Sequence, residues 1–122
     1  MDKLDQIYKL QRQLLELFGH NFDNLESDQK VIYIKDTILS MTDELHEVLN
    51  LFPWKNWKNY SGEHHNLNLP LIKEEVVDAL HFFINLCLMI GISSNELFDE
   101  FIKKNNKNIE RIKNGINNRY PK

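Results

Sequence analysis

The sequence predicts an all-α fold, a four-helix bundle, and three observations lead there. Apolar residues recur at three- and four-residue steps in four separate stretches. Helix caps, a proline and glycines punctuate those stretches where helices should start or stop. No internal repeat, low-complexity tract or domain linker interrupts residues 1–122, so one domain is expected.

The first stretch covers residues 2–18, with Leu4, Ile7, Tyr8, Leu10, Leu14, Leu15, Leu17 and Phe18 at helical spacing and Gly19 as the stop. Gln11 lies beside this stripe and, read alone, belongs to a solvated face. A polar connection follows, and Ser27 or Asp28 can cap a second helix. In that helix Val31, Ile34, Ile38, Met41, Leu45, Val48 and Leu49 form the stripe, while Glu44 and Glu47 sit at its border. A carboxylate at that border faces partly inward and needs a partner.

Phe52 to Leu69 is a long connection holding Pro53, Gly62, Trp54, Trp57 and the pair His64-His65. Loops of this length are often functional. The two tryptophans are expected first as core plugs and second as flat faces for a base. The adjacent histidines lack zinc-ligand partners and read as exposed loop residues.

A third helix starts near Asn68, Leu69 and Pro70 and is apolar on more than one side, which predicts a central position or a subunit interface. Gly91 ends it. Ser93-Ser94-Asn95-Glu96 has the form of a capping box and opens the fourth helix, whose Leu97, Phe98, Phe101, Ile102, Ile109 and Ile112 should face inward.

Composition narrows the function classes. With 42% apolar and 27% charged residues the chain is a globular protein, and a net charge of −3 gives no basic surface for gripping a nucleic acid polymer. The single Cys87 sits in an apolar run, which rules out a disulfide framework within the chain. The N-terminus lacks the order of a signal peptide and no apolar run is long enough for a membrane span, so a soluble, cytoplasmic protein is expected.

The chemistry lies in two acid pairs. Glu44 and Glu47 are one turn apart on one helix, and Glu75 and Asp78 on the next. Brought together, four carboxylates repel unless cations sit between them, and hard oxygen ligands suit Mg²⁺. Such sites usually handle phosphate esters or anhydrides. On the fourth helix Lys104, Asn108 and Arg111 share a face and supply cationic and polar groups for distal phosphates. Either acid pair alone is ordinary helix surface; the ordered set is what carries the reading. A di-iron site would want Glu-x-x-His, which is absent.

Four segments together resemble the dimeric dUTPases. These are Asp43-Glu44-Leu45-His46-Glu47-Val48-Leu49-Asn50, Trp54-Lys55-Asn56-Trp57-Lys58, Glu74 to Phe82, and Lys104-Asn105 with Asn108, Arg111 and Gly115. That family belongs to the all-α nucleoside triphosphate pyrophosphatases, with the MazG-like and dCTP-cleaving enzymes, and the likeness runs from about Gln11 to Gly115. The resemblance implies Mg²⁺ at Glu44, Glu47, Glu75 and Asp78, two or more ions per site, with Mn²⁺ as a possible substitute. It implies that Glu44 or Glu47 is the general base. It also implies that Gln11, Trp57, His81 and Phe82 border the base and sugar, which displaces the solvated-face reading of Gln11. Lys58, Lys104, Asn108 and Arg111 would contact phosphates or sugar.

The implied activity is hydrolysis of dUTP, and of dUDP, to dUMP by a metal-activated water in a homodimer. No membrane or nucleic acid polymer is expected as a partner. Two alternatives stand beside it: a broader MazG-like or dCTP pyrophosphatase, and a non-catalytic helical protein that senses nucleotides or binds a partner.

Overall fold

The computed structural model describes residues 1–62 and 67–115. All of its regular structure is helical, in the order α1 (Lys3–Leu17), a 3-10 turn (Phe22–Asn24), α2 (Ser27–Asn50), α3 (Leu69–Ile90) and α4 (Ser94–Lys113). The all-α class and the four α-helices are those the periodicity predicts. His64 and His65 lie outside the described residues.

Helix starts follow local chemistry. Asp2 caps α1, its side chain accepting from the Asp5 backbone N–H at 2.9 Å. Asn68 caps α3 in the same way, accepting from the Leu71 N–H at 3.2 Å, with Pro70 in the first turn where its missing N–H costs nothing. The start of α2 differs from expectation. Glu26 occupies the cap position with extended backbone and no side-chain cap, and Ser27 is already helical. A residue inside the first turn cannot also be the cap, so neither Ser27 nor Asp28 performs that role. Gly91 ends α3 in the left-handed region, at φ 91°, where a side chain would be strained.

The chain divides into two units, Met1–Gly91 and the part from Ile92 onward. In the first, α3 packs against both α2 and α1, which bears out its expected central position. Tyr8 and Leu15 come to the core from α1, and Ile72, Ala79, Ile84, Cys87 and Met89 from α3. Thr37 of α2 is buried with them, its hydroxyl donating to Met89 Sδ at 3.5 Å. Cys87 is a small buried apolar residue, as its surroundings in the sequence suggest. The other side of α3 is open: Val76, Val77, Leu80 and Phe83 are exposed.

The second unit contains α4. Ser93 caps it, the hydroxyl oxygen accepting from the Glu96 N–H at 3.1 Å while the hydroxyl donates to Glu96 Oε1 at 3.1 Å. Arg111 and Lys113 fall in the last turn, where positive charge suits the helix dipole. Phe98, Phe101, Ile102, Ile109 and Ile112 are exposed rather than inward-facing. Periodicity marks an apolar face but does not supply what covers it. Among the described residues no single helix is long and apolar enough to cross a membrane.

Candidate active site

The packing of α2 on α3 brings the two acid motifs together. Glu44 comes from α2, Glu75 and Asp78 from successive turns of α3, and one carboxylate oxygen of each lies within 4.8 Å of the others. All three are half-buried. Glu44 lies on the face of α2 that carries buried Thr37 and half-buried Ile34, Met41 and Val48, whereas Val31, Ile38, Leu45 and Leu49 of the expected stripe are exposed. Glu47, one turn further along α2, is exposed, and its carboxylate borders the three, with a side-chain hydrogen bond to Glu75.

The electrostatics are those of crowded carboxylates. Burial pushes the Glu44 carboxyl up to about 7, and the charges of Glu47, Glu75 and Asp78 push in the same direction. Glu75 is also raised, again first by desolvation, with Glu47 and Asp78 adding to it and its hydrogen bond with Glu44 opposing. Glu44 Oε2 has no accessible surface and no hydrogen-bond partner. A buried carboxylate oxygen without a donor is costly. Three converging carboxylates with one such orphaned oxygen fit a hard divalent cation such as Mg²⁺, which takes oxygen ligands and completes its shell with water and phosphate.

Beside the acids lies a cavity of about 620 Å³. Glu44 and Asp78 form one part of its wall, and Gln11, His81, Phe82 and Asn85 another. Its volume is in the range of small-molecule sites. Gln11 is 4% exposed, so the solvated-face reading is wrong. The stripe on α1 turns Gln11 inward with Tyr8 and Leu15, each one turn away on the same face. Its amide N–H donates to Asn85 Oδ1 at 2.5 Å, and its carbonyl accepts from His81 Nδ1–H. A second cavity of about 310 Å³ shares Gln11 and His81 but is otherwise apolar.

Other expected residues are not gathered here. Trp57 is 71% exposed and Trp54 is only partly covered, so neither is a core plug. Instead they pack edge to face, 5.8 Å between ring centroids, with Lys55 Nζ over Trp54 at 5.7 Å and His46 against its other edge. Trp57 and Lys58 do not line the cavity. Lys104 and Arg111 are exposed and Asn108 is half-buried on α4, in the second unit.

Asn85 is the site residue that the motifs missed. It interrupts an apolar run one turn after His81 and two turns after Asp78, on the same face of α3. That spacing was the available signal.

An acid triad at a helix–helix interface thus borders a cavity of mixed polar and apolar lining in an all-α fold. The family model described as dUTPase matches residues 3–88, and the chain belongs to that family. Among curated proteins the chain is similar to the dCTP pyrophosphatase of Enterobacteria phage T4, 33% identical over 70 residues, which is 51% of this chain and 41% of that protein. It is also similar to the dCTP pyrophosphatase of Enterobacteria phage LZ5, at 31% over 70 residues, with the same shares of 51% and 41%. The chain thus spans well under two thirds of the length of these relatives. No solved structure matches it.

Proposed function

We propose that this chain is a divalent-metal-dependent pyrophosphatase of pyrimidine deoxynucleoside triphosphates, releasing the monophosphate. The observation that carries the reading is the convergence of Glu44, Glu75 and Asp78, with the orphaned Glu44 Oε2, on the edge of a cavity lined by hydrogen-bonding side chains. The names of the phage relatives favour dCTP as substrate. The family description favours dUTP, with dUDP as a further substrate.

In this reading Glu44, Glu75 and Asp78 hold Mg²⁺. The metal supplies neutralisation of phosphate charge and a lower pKa for a coordinated water. Glu47, exposed at the border of the triad, is the carboxylate we assign to accept a proton from the attacking water. Phe82 offers an aromatic ring to the base, and Asn85 and His81 offer polar groups held in place by Gln11. Trp57 and Lys58 would close over the nucleotide from the loop, and Lys104, Asn108 and Arg111 would contact phosphates from α4. The exposed Val76, Val77, Leu80 and Phe83 of α3 support a homodimer, since one helix face with four adjacent apolar residues is costly to leave in water.

The test is turnover of dCTP, dUTP, dTTP, dATP and ribonucleotides with and without Mg²⁺, following release of pyrophosphate. Metal-dependent cleavage of dCTP or dUTP well ahead of purine nucleotides is the expected result. Equal turnover of purines would move the assignment to a broad MazG-like activity, and no turnover of any nucleotide would favour the non-catalytic sensing protein.

A further inference from the structure

We propose that Asn85 is the specificity-determining residue that reads the Watson–Crick edge of the base, with Gln11 as the positioning residue that sets its polarity. The inference rests on reading the 620 Å³ cavity as the base pocket of the proposed pyrophosphatase. Gln11 is buried, and both ends of its amide are engaged, the N–H with Asn85 Oδ1 and the carbonyl with His81 Nδ1–H. The chain Asn85–Gln11–His81 is therefore a connected unit in which one orientation fixes the others.

In the observed orientation Asn85 has its oxygen occupied, so its Nδ2 is left as a donor. His81 carries its proton on Nδ1, so Nε2 is left as an acceptor. Neither atom has a protein partner among the described residues, and both side chains line the cavity. One donor and one acceptor on two side chains of the same cavity are the pair that O4 and N3–H of uracil require. Cytosine presents the opposite pair, an N4 amino donor and an N3 acceptor. Turning both amides and moving the His81 proton to Nε2 gives the same chain the inverted pattern. Asn85 Oδ1 then faces the cavity as an acceptor and His81 Nε2–H as a donor, which matches cytosine. Every hydrogen bond is kept in both states, so two pyrimidines can be read by one set of side chains. A purine requires a different shape.

Asn85→Asp separates the possibilities, because a carboxylate can only accept. Its outer oxygen would repel uracil O4 and accept from the cytosine amino group. Binding of dCMP and dUMP at pH 8, measured by titration calorimetry without metal, is compared for the wild type and Asn85→Asp, alongside dCTP/dUTP turnover ratios with Mg²⁺. The expected result is a shift of both ratios toward cytosine by about tenfold or more. An equal effect on both bases, or none, overturns the proposal and leaves Asn85 as a structural prop for Gln11. If the variant does not fold, the wild type decides: a dUMP methylated at N3 should bind about tenfold or more weaker than dUMP, and equal binding overturns the proposal. The two readings fail differently. Wild-type turnover with unmoved ratios sinks only the role of Asn85. Base-selective binding that the variant inverts, without any hydrolysis, sinks only the pyrophosphatase.

Discussion

Gln11 of α1 and Asn85 of α3, 74 positions apart in the chain, are joined by a 2.5 Å hydrogen bond inside the helical core. The bond fixes the first helix against the third at the level of the candidate site. Replacing Gln11 with Leu would leave Asn85 Oδ1 and His81 Nδ1–H without their partner. We expect Gln11→Leu to lower unfolding free energy by about 1–3 kcal/mol in urea melts, and to weaken nucleotide binding as well.

Removing a carboxylate from the triad should separate activity from stability. In Asp78→Asn and Glu75→Gln, Mg²⁺-dependent turnover should fall below detection, because a cluster ligand is lost. The metal-free melting temperature should hold or rise, since like-charge repulsion is relieved. A marked drop in the melting temperature of both variants would mean that these acids are structural.

The raised Glu44 carboxyl makes stability depend on pH in a stated direction. Its folded-state pKa of about 7 lies above the ordinary value of 4.5, so between these values the folded protein holds the extra proton. Stability from this group is therefore greatest below about 4.5 and falls as pH rises towards about 7, with no further change above. Melting temperatures of metal-free protein across that window should show the decline, and Glu44→Gln should flatten it.

Metal should reverse that loss. At neutral pH, where the triad is most strained, added Mg²⁺ should raise the melting temperature of the wild type saturably, as any ligand of the folded state does. The same titration on Asp78→Asn should give little or no shift.

The open face of α3 predicts an assembly. Val77→Asp or Leu80→Glu would place a charge on the apolar face that the monomer leaves exposed. Sedimentation should show a dimer for the wild type and a monomer for the variants. A monomeric wild type would overturn the homodimer.

The helices were legible because their signals are local. Asn68 with Pro70, Ser93 with Glu96, and Gly91 each carry enough information within a few residues to place a boundary. The cap of α2 was not, because Ser27 and Asp28 are as suited to the first turn as to the cap itself. The acid pairs could be read as pairs, since three-residue spacing on a helix fixes a shared face. Their meeting could not, because it depends on how α2 lies on α3.

By itself the sequence determined the all-α class, the four helices and the identity of the acids. Only the tertiary structure decided that Glu44, Glu75 and Asp78 converge, with Glu47 at their border. Only it turned Gln11 from a polar residue beside a stripe into the buried link between Asn85 and His81. The physical reason is the same in each case. Periodicity says which residues share a face, whereas the distance between faces is set by side chains far apart in the chain packing against one another.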